Sequence, residues 1–445
     1  MTSRRPGLAG AGGPRILVPP PGPRSRELAA RLAAVECPAF DARRDARAAQ
    51  SKTDQTPIVY ASANETFVTD ADGNVLVDLV MGFGSLILGH RPEVVTRAVR
   101  AQQDALWLAL GDVYASLPKI VLCERLAALL PEPGARVLLG TTGADAVTAA
   151  MKSAVLATGR SRVIAFEGAY HGLSHAPLAA CGLAPSFRVP FAAQLGDYVD
   201  FVPYPHDAAS LDACMMQVEA LAPRAGAILV EPVLGRGGCV VPPTAFLPRL
   251  RRACDASGAL LVADEVWTGM GRSGAMLASL DAGVLPDLVC LGKGLGGGMP
   301  ISACIGRAHV MEAWGRHGGT AIHTGTHVGA PTAAAAACAV LDFLEANDLP
   351  AKAAGSGAFF QSALTQATAG RGITVRGRGL MIGLEVSGGA ERALGLAHAL
   401  LVRGWLVLTG GRRGETITLT PSLTMDEALF DAFTEALALA ANEVP

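Results

Sequence analysis

An acidic and a basic side chain near the middle of the chain each follow an apolar segment. Asp264 ends A-L-L-V-A-D, and Lys293 follows D-L-V-C-L-G and precedes four glycines within five residues. Burial lowers the pKa of a lysine, and a neutral amine can attack an aldehyde. A buried carboxylate is costly unless a cation pairs with it. An amine for an aldehyde and an anion for a protonated ring nitrogen are the groups that pyridoxal phosphate needs from a protein.

Each of these residues also has a simpler interpretation. Asp264 could belong to a structural ion pair, and Lys293 could reach out to solvent, since lysine is seldom fully buried. The glycines after Lys293 favour a site, because they allow the backbone to approach a ligand closely. We therefore predict that Lys293 and Asp264 carry chemistry.

An element upstream could hold the cofactor's phosphate. The apolar strand R-V-L-L-G is followed by T-T-G-A-D-A-V-T, which begins a helix in which Ala146, Ala150 and Ala154 share one face. The first turn of a helix presents free backbone N–H groups and the positive end of the helix dipole. Many α/β proteins have such a turn for packing alone. The candidate phosphate contacts are Thr142, Gly143 and Ala144.

The motifs around Asp264 and Lys293 also resemble those of a known family. D-E-V-W-T-G-M-G-R-S-G resembles the D-E-V-Q-T-G-F-G-R-T-G stretch of the class III (ornithine/4-aminobutyrate type) aminotransferases, and G-K-G-L-G-G-G-M-P-I-S-A resembles their Schiff-base lysine motif. The similarity runs from about residue 21 to the C-terminus. It implies an α/β protein of fold type I, whose large lobe has a mostly parallel sheet of about seven strands between helices. It also implies a small α+β C-terminal lobe and a homodimer with its sites at the interface.

The resemblance assigns further cofactor contacts. The T-G-A-D-A segment matches the family's phosphate motif, Tyr170 would stack on one face of the ring, and Val266 would pack on the other. His171, in Y-H-G, and Glu231, in E-P, belong to the same set. Thr326 would reach the phosphate of the neighbouring subunit's cofactor. No metal is expected, because the glycine between His323 and His327 argues against a regular helix and no carboxylate lies close in sequence.

Three positions depart from the family pattern. Trp267 replaces the commonest glutamine, Arg236 stands where relatives often carry an acid, and Thr418 aligns with an arginine that binds a substrate carboxylate in many relatives. We therefore hypothesise that Arg236, helped by Arg412 or Arg413, holds a substrate carboxylate. The alternative is that Arg236 faces solvent in a glycine loop.

One further segment is predicted to lie near the substrate entrance. G-F-G-S contains Phe83, Gly84 and Ser85, which are candidates to contact the substrate. As isolated residues they would more often be plain loop and core.

Composition limits the partners. Half of the 445 residues are apolar and 52 are glycine, which is typical of an α/β enzyme with many tight loops. A net charge of −2 offers no field to attract nucleic acid or an anionic membrane. The nine cysteines are odd in number and never spaced C-x-x-C, which argues against disulfide or zinc frameworks. No apolar run is long enough to cross a membrane, so we expect a soluble, cytoplasmic protein.

The pattern divides the chain into four parts. Residues 1–20 form a flexible extension, since their glycines and prolines disfavour the amphipathic helix of a transit peptide. Residues 21–90 form an N-terminal arm and a segment of the small lobe, with Ser25 as the N-cap of the first helix. Residues 91–348 form the large cofactor-binding domain, in which 174–212 are loop and short helices. Residues 349–445 form the small C-terminal domain.

These features predict a transfer of an amino group from an amino acid or amine donor to a keto acid or aldehyde acceptor. Two kinds of alternative remain at this point. The first is another reaction on the same scaffold, namely an aminomutase of the glutamate-semialdehyde type, a decarboxylase or a racemase. The second is a binding or scaffold protein that retains the fold without catalysis, against which Lys293 and Asp264 argue.

Overall fold

A computed structural model describes residues 12–316 and 318–444. The strands are numbered along the chain as β1 (Tyr60–Asn64), β2 (Phe67–Asp70), β3 (Val75–Asp78), β4 (Arg136–Gly140), β5 (Arg162–Phe166), β6 (Val199–Val202), β7 (Ala225–Val230), β8 (Leu260–Asp264), β9 (Leu288–Leu291), β10 (Ser302–Gly306), β11 (Ile373–Arg378), β12 (Met381–Val386), β13 (Trp405–Leu406), β14 (Leu408–Gly410) and β15 (Thr416–Leu419).

The helices are numbered in the same way. They are α1 (Pro23–Ala33), α2 (Pro38–Ser51), α3 (Met81–Gly84), α4 (Glu93–Ala105), α5 (Leu117–Ala127), α6 (Gly143–Thr158), α7 (His175–Ala179), α8 (Ala192–Leu195), α9 (Ala208–Leu221), α10 (Phe246–Ser257), α11 (Ala278–Asp281), α12 (Ala308–Met311), α13 (Pro331–Ala346), α14 (Leu349–Ala367), α15 (Gly389–Val402) and α16 (Glu427–Glu443). None of these helices is both long and apolar enough to cross a membrane.

The largest sheet has seven strands in the order β4-β10-β9-β8-β7-β5-β6. The strands from β9 to β6 are parallel, and β10 runs antiparallel to both β9 and β4. β4 therefore points the same way as β9, and six of the seven carboxyl ends meet at one edge. This agrees with the predicted sheet, and an edge of this kind is where open α/β sheets bind ligands.

Helices cover both faces of this sheet. Successive residues of a strand point to opposite faces. Val163, Ala227 and Val262 pack with α6, whereas Ile164, Ile228 and Leu261 pack with α9 and α10. Burial on both faces explains why the central strands are continuously apolar.

Two four-stranded sheets complete the fold, in the orders β1-β2-β3-β13 and β11-β12-β15-β14. The apolar segment W-L-V-L-T by itself predicts a single strand, and this prediction is wrong, because the segment is divided between the two sheets. β13 pairs parallel with β3, and β14 pairs antiparallel with β15. A pattern of local hydrophobicity cannot show that one residue, Val407, lies between partners in different sheets.

The prediction of only loop and short helices over 174–212 is also wrong. β6 lies in this segment and pairs parallel with β5 at the edge of the large sheet. It is only four residues long, and Asp200 within it forms an ion pair with Arg162 of β5 at 2.8 Å. A short edge strand with a charged residue gives little periodic signal.

The N-terminal segment differs from the prediction in its cap. Residues 1–11 of the predicted flexible extension lie outside the described residues, whereas Arg15 pairs with Val75 at β3. The first helix is capped at Gly22 rather than at Ser25, which is buried inside the helix. Asp72 accepts hydrogen bonds from the backbone N–H groups of Arg24 and Ser25 (2.7 and 2.9 Å), so a distant carboxylate replaces a local cap.

Candidate active site

The two predicted catalytic residues lie at adjacent strand ends. Asp264 is the last residue of β8, and Lys293 follows β9 after a single glycine. β8 and β9 are parallel neighbours, and Asp264 is paired in register with Cys290. Lys293 begins a 3₁₀ turn with a φ of 24°, a backbone region that side chains other than glycine seldom adopt. Strain of this kind is typical of residues held in place for function.

Asp264 and Lys293 line the same cavity. Its walls include five other predicted site residues and two that were not predicted from the sequence, Val233 and Thr268. The five predicted ones are Tyr170, Glu231, Arg236, Val266 and Trp267. The Thr268 hydroxyl donates to Glu265 at 2.7 Å and is therefore already occupied. Three other segments of the chain thus converge on Lys293.

A buried acid–base cluster lies at the floor of the cavity. Asp264 is 4% exposed, and one of its oxygens lies 2.7 Å from Nδ1 of His171. Burial lowers the pKa of His171, but the hydrogen bond and the charge of Asp264 raise it more, so the pKa rises above its usual value. Nε2 of His171 is buried without a partner in the described part of the chain. The hydrogen bond with His171 therefore stabilises the negative charge of Asp264.

Glu231 is the second carboxylate of this cluster. One of its carboxylate oxygens, a ring nitrogen of His171 and a carboxylate oxygen of Asp264 lie within 4.8 Å of one another. The backbone N–H groups of Tyr170 and Gly235 donate to its carboxylate at 3.1 and 2.8 Å. Burial, together with the charge of Asp264, raises the pKa of Glu231 to about 7. The carboxylate thus fixes two loops to each other beside the cavity.

The amine of Lys293 is shifted towards its neutral form. Burial lowers its pKa, the charges of Asp264 and Glu231 raise it in part, and the charge of Arg236 lowers it again. Its Nζ lies 4.7 Å from the centroid of the Trp267 ring. Among the described residues it forms no ion pair. The lysine is therefore suited to act as a nucleophile or base.

The predicted phosphate contacts lie next to these strand ends. Thr142 caps α6, with its side chain accepting a hydrogen bond from the backbone of Asp145. A Cβ added at Gly143 would lie 2.8 Å from Val266, and one at Gly172 would lie 2.7 Å from Ala144. The first turn of α6 therefore packs directly against the loops that carry Val266 and His171, with its free N–H groups at this edge.

The indole of Trp267 lines the cavity and packs against two glycines. A Cβ at Gly235 would lie 2.1 Å from its ring, and one at Gly84 would lie 2.6 Å from its Nε1. Its Nε1 is buried and has no acceptor among the described residues. Only glycine at both positions leaves room for the indole where it stands.

Two predicted residues lie outside the cavity. Phe83 is 67% exposed, although the adjacent Gly84 contacts Trp267. Thr326 is exposed, in a loop whose residue Gly325 lies near Gly111 on the surface. Neither residue is brought to Lys293 of the same chain.

The residues present fit pyridoxal phosphate. The glycine at 143, where a Cβ would collide with Val266, brings the helix N-terminus to the cavity as a phosphate cradle requires. Asp264 offers an anion for a protonated ring nitrogen, and Lys293 offers an amine for the aldehyde. Tyr170 and Val266 provide apolar surfaces in the same cavity.

Comparisons with known proteins agree with this geometry. The family described as Aminotransferase class-III matches residues 48–441. An acetylornithine aminotransferase of Mycolicibacterium smegmatis is 37% identical, over 86% of this chain and 93% of its own length. A 5-aminovalerate aminotransferase of Pseudomonas putida is 34% identical, over 84% of this chain and 91% of its own. The structure of an amine transaminase from an uncultivated Pseudomonas species, in its pyridoxal-phosphate-bound form, superimposes with a TM-score of 0.82. It is 32% identical and covers 88% of this chain and 96% of its own.

Proposed function

The chain belongs to the class-III aminotransferase family, and we propose that Lys293 and Asp264 perform its catalysis. The enzyme uses pyridoxal phosphate to move an amino group from an amino acid or amine donor to a keto acid or aldehyde acceptor. The comparisons support none of the alternative reactions on the same scaffold. One observation carries the assignment of residues: the ends of two adjacent parallel strands deliver a carboxylate and an amine into one cavity.

Each of these residues has a distinct task. When bound, pyridoxal phosphate supplies an aldehyde that captures the substrate amine and a ring that accepts electrons from the substrate carbon. Lys293 holds the cofactor between turnovers and moves a proton to and from the substrate carbon through Nζ. Asp264, supported by His171, keeps a negative charge beside the ring nitrogen. Glu231 orients the loops of Tyr170 and Gly235.

The cofactor would be held by three further contacts. The N–H groups of Gly143 and Ala144 and the hydroxyl of Thr142 bind the phosphate. Tyr170 would stack on one face of the cofactor ring, and Val266 would pack on the other. These roles rest on the common cavity and on the contact between Gly143 and Val266.

The substrates are small molecules, an amine donor and a keto acid acceptor. The relatives named above are described as acting on acetylornithine and 5-aminovalerate. Trp267 and Arg236 line the part of the cavity left for the substrate, and Phe83 lies at its entrance beside Gly84. We place substrate binding between these residues.

The active form would be a homodimer. An apolar surface runs from residue 106 to 117, with Trp107, Tyr114 and Leu117 between 68 and 73% exposed. A patch of this kind is seldom left in contact with water. The loop of Thr326 lies beside it through Gly325 and Gly111, so a second copy would receive Thr326 near its own phosphate site. Sedimentation should give twice the chain mass, and Trp107→Glu combined with Tyr114→Glu should give the single-chain mass.

A cytoplasmic location is supported by the cysteines. All nine are free, including the exposed Cys37. Disulfides are typical of oxidising compartments, so free thiols fit a reducing one.

The domain boundaries follow the sheets. All seven strands of the large sheet lie within residues 91–348, and the sheet of β11, β12, β14 and β15 lies within 349–445. Residues 21–90 supply β1 to β3, which take up β13 from the C-terminal part. We propose these bounds for the large and small domains.

The test is to locate the cofactor and to follow it. Borohydride reduction of the holoenzyme and peptide mass spectrometry should find the cofactor on Lys293. The absorbance of the unreduced holoenzyme should then shift on addition of an amino donor and return on addition of a keto acid. Attachment to another lysine would contradict the role of Lys293, and a shift without return would contradict amino transfer.

A further inference from the structure

Arg236 lies in an aromatic corner at the wall of the cavity. Its guanidinium carbon lies 4.4 Å from the centroid of Tyr170 and 5.9 Å from that of Phe187, and these two rings meet edge to face at 6.4 Å. Stacking on a ring holds a guanidinium in one plane and leaves its N–H groups free to bind along that plane. The side chain is therefore oriented before any ligand arrives.

No protein anion neutralises this guanidinium. In residues 12–316 and 318–444, Arg236 takes part in no ion pair, and its side chain donates no hydrogen bond to protein. Two other arginines of the neighbourhood are paired: Arg412 lies 3.1 Å from Glu167, and Arg376 is bound to Glu385. Arg236 is half-buried. Its guanidinium N–H groups have no acceptor in the protein, so they are available to bind an anion.

The positive charge of Arg236 lies in the same cavity as the amine of Lys293. Together with Lys293, it supplies the cations of the cavity wall in the described structure. Its charge contributes to the lowered pKa of Lys293, which shows that the two groups are within electrostatic reach. A ligand anion at Arg236 would therefore lie in the same cavity as the reacting amine.

The strands beside the loop of Arg236, β14 and β15, carry no positively charged side chain. The backbone oxygen of Arg236 accepts a hydrogen bond from Gly411 at 2.9 Å. A Cβ at Gly410 would lie 2.8 Å from the Thr418 hydroxyl and 3.5 Å from that same oxygen. Thr418 is neutral and short, so the charge on this side of the cavity comes from the loop.

The cavity wall formed by Trp267 is apolar. The Trp267 ring packs against Gly235, the residue before Arg236, and faces the amine of Lys293. A substrate with an amine and a carboxylate therefore has one orientation that avoids placing its charge against the indole.

From these contacts we infer that Arg236 binds the carboxylate of the substrate through a bidentate contact, and that the substrates are amino acids and keto acids rather than amines without an acid group. This inference rests on the proposed amino transfer at Lys293. It assigns to Arg236 the recognition of the substrate and leaves the chemistry to Lys293 and Asp264.

The test uses four donors in two matched pairs. L-Alanine and 2-aminopropane differ by an α-carboxylate, and 6-aminohexanoate and hexan-1-amine differ by a distal one. The reaction of each donor with the holoenzyme is followed by cofactor absorbance in a single half-reaction, so that no keto acid is present. Arg236→Met should lower the rate constant at limiting donor by about 10- to 100-fold for the acid of a reactive pair. It should change the rate of the matched amine by less than about threefold, since that amine makes no hydrogen bond to lose.

Two further variants sharpen the result. Arg236→Lys keeps the charge but loses the planar fork, so it should recover part of the rate with the acid. Arg224→Met removes an exposed arginine that is paired with Asp200 at 3.2 Å outside the cavity, and it should leave all four rates unchanged. Thermal unfolding of each holoenzyme verifies that the variants are folded.

The outcomes separate the inference from the function on which it rests. The role of Arg236 would be overturned if Arg236→Met lost rate equally with acids and amines or lost none with acids. A loss selective for acids in Arg224→Met would overturn it as well. Reaction of the unmodified holoenzyme with the amines alone would do the same. A holoenzyme that reacts with none of the four donors would contradict the amino transfer itself, and the inference with it.

Discussion

The cavity has two walls of different construction. One consists of strand ends, where Asp264 and Lys293 emerge from β8 and β9 of a sheet that is covered on both faces. The other consists of loops, where Arg236 and Trp267 come from separate segments; Arg236 packs on the ring of Phe187, and Trp267 packs against Gly235. The first wall is held by the hydrogen bonds of the sheet, and the second is held by side-chain packing and by hydrogen bonds between loops, such as those to Glu231.

This difference separates two aspects of function. A group on a rigid strand end can serve the step that all substrates share, because its position does not depend on the ligand. A group on a loop can change with the substrate without disturbing the sheet. Changes in the strand-end wall should therefore affect every substrate alike, and changes in the loop wall should affect substrates selectively.

The largest expected effect is that of Lys293→Ala. The variant lacks the group that moves the proton at the substrate carbon, so the half-reaction should slow by about 10³- to 10⁴-fold with every donor. Stopped-flow absorbance with several donors measures the loss. Lys352→Ala, at an exposed position of α14, is the control and should match the unmodified enzyme. A loss of rate with only one class of donor would contradict the idea that the strand-end wall serves all substrates alike.

A second substitution divides the strand-end wall itself. Asp264 and Glu265 are adjacent buried carboxylates, but only Asp264 lines the cavity. Asp264→Asn should lower the rate by about 10²- to 10³-fold, because it removes the charge beside the ring nitrogen. The melting temperature of Asp264→Asn should change little from that of the unmodified protein.

Glu265→Gln should show the reverse. The Glu265 carboxylate accepts hydrogen bonds from the hydroxyl of Thr268, the backbone of Ala278, and the backbone and hydroxyl of Ser279. An amide would place an NH₂ group against N–H donors in either orientation, at a cost of about 1–3 kcal/mol in the free energy of unfolding. Thermal unfolding and kcat measured on both variants should separate the two roles. A large kcat loss in Glu265→Gln at unchanged stability would contradict this division.

The strand-end wall is also the part that the sequence predicts well. Asp264 and Lys293 each end an apolar run, and the helix after β4 carries its cap within its own sequence. Such signals are local, since a parallel strand buried on both faces must be apolar along its length. The large sheet, the position of α6 and the two residues at the strand ends follow from them.

The loop wall could not be predicted in this way. Phe187 lies in an irregular segment without periodicity, and its contact with Arg236 depends on how that segment folds over the sheet. Val233 and Thr268 line the cavity only because of the path of their loops. The same limit explains β6 and the cap of α1, where Asp72, 50 residues beyond Gly22, completes the helix N-terminus.

A third prediction concerns the packing of the loop wall. Gly235→Ala would place its Cβ about 2.1 Å from the Trp267 ring, so the ring must move. We expect a loss of about 1–3 kcal/mol in stability, with a change in the relative rates of donors of different size. Gly355→Ala, in α14 with nothing near its Cβ, is the control and should leave the rates unchanged.

The Trp267 contact itself is tested by a double-mutant cycle. Trp267→Leu removes the ring that the new methyl group meets, so adding it to Gly235→Ala should restore part of the loss. Additive effects of the two substitutions would mean that Gly235 and Trp267 do not restrict each other.

The smallest expected effect is a dependence of stability on pH. The pKa of Glu231 is raised by burial and by Asp264 from 4.5 to about 7, and that of His171 is raised as well. The folded protein then binds more protons than the unfolded chain above pH 4.5. The stability contributed by protonated Glu231 is complete below pH 4.5 and is lost as the pH rises to about 7. Denaturant unfolding of the cofactor-free protein should show this fall, at most about 1.4 kcal/mol per pH unit for one group.

Glu231→Gln isolates this contribution. It removes hydrogen bonds to the loops of Tyr170 and Gly235 and should lower stability at every pH, but it also removes the titrating group. The informative quantity is therefore the slope of the free energy of unfolding against pH between pH 5 and 7. This slope should be flatter in Glu231→Gln than in the unmodified protein. The corresponding surface substitution, Glu391→Gln at the exposed start of α15, should leave the slope unchanged. An unchanged slope in Glu231→Gln would show that the carboxylate is already charged at pH 5, and that the loop wall is joined to the strand ends by a charged group.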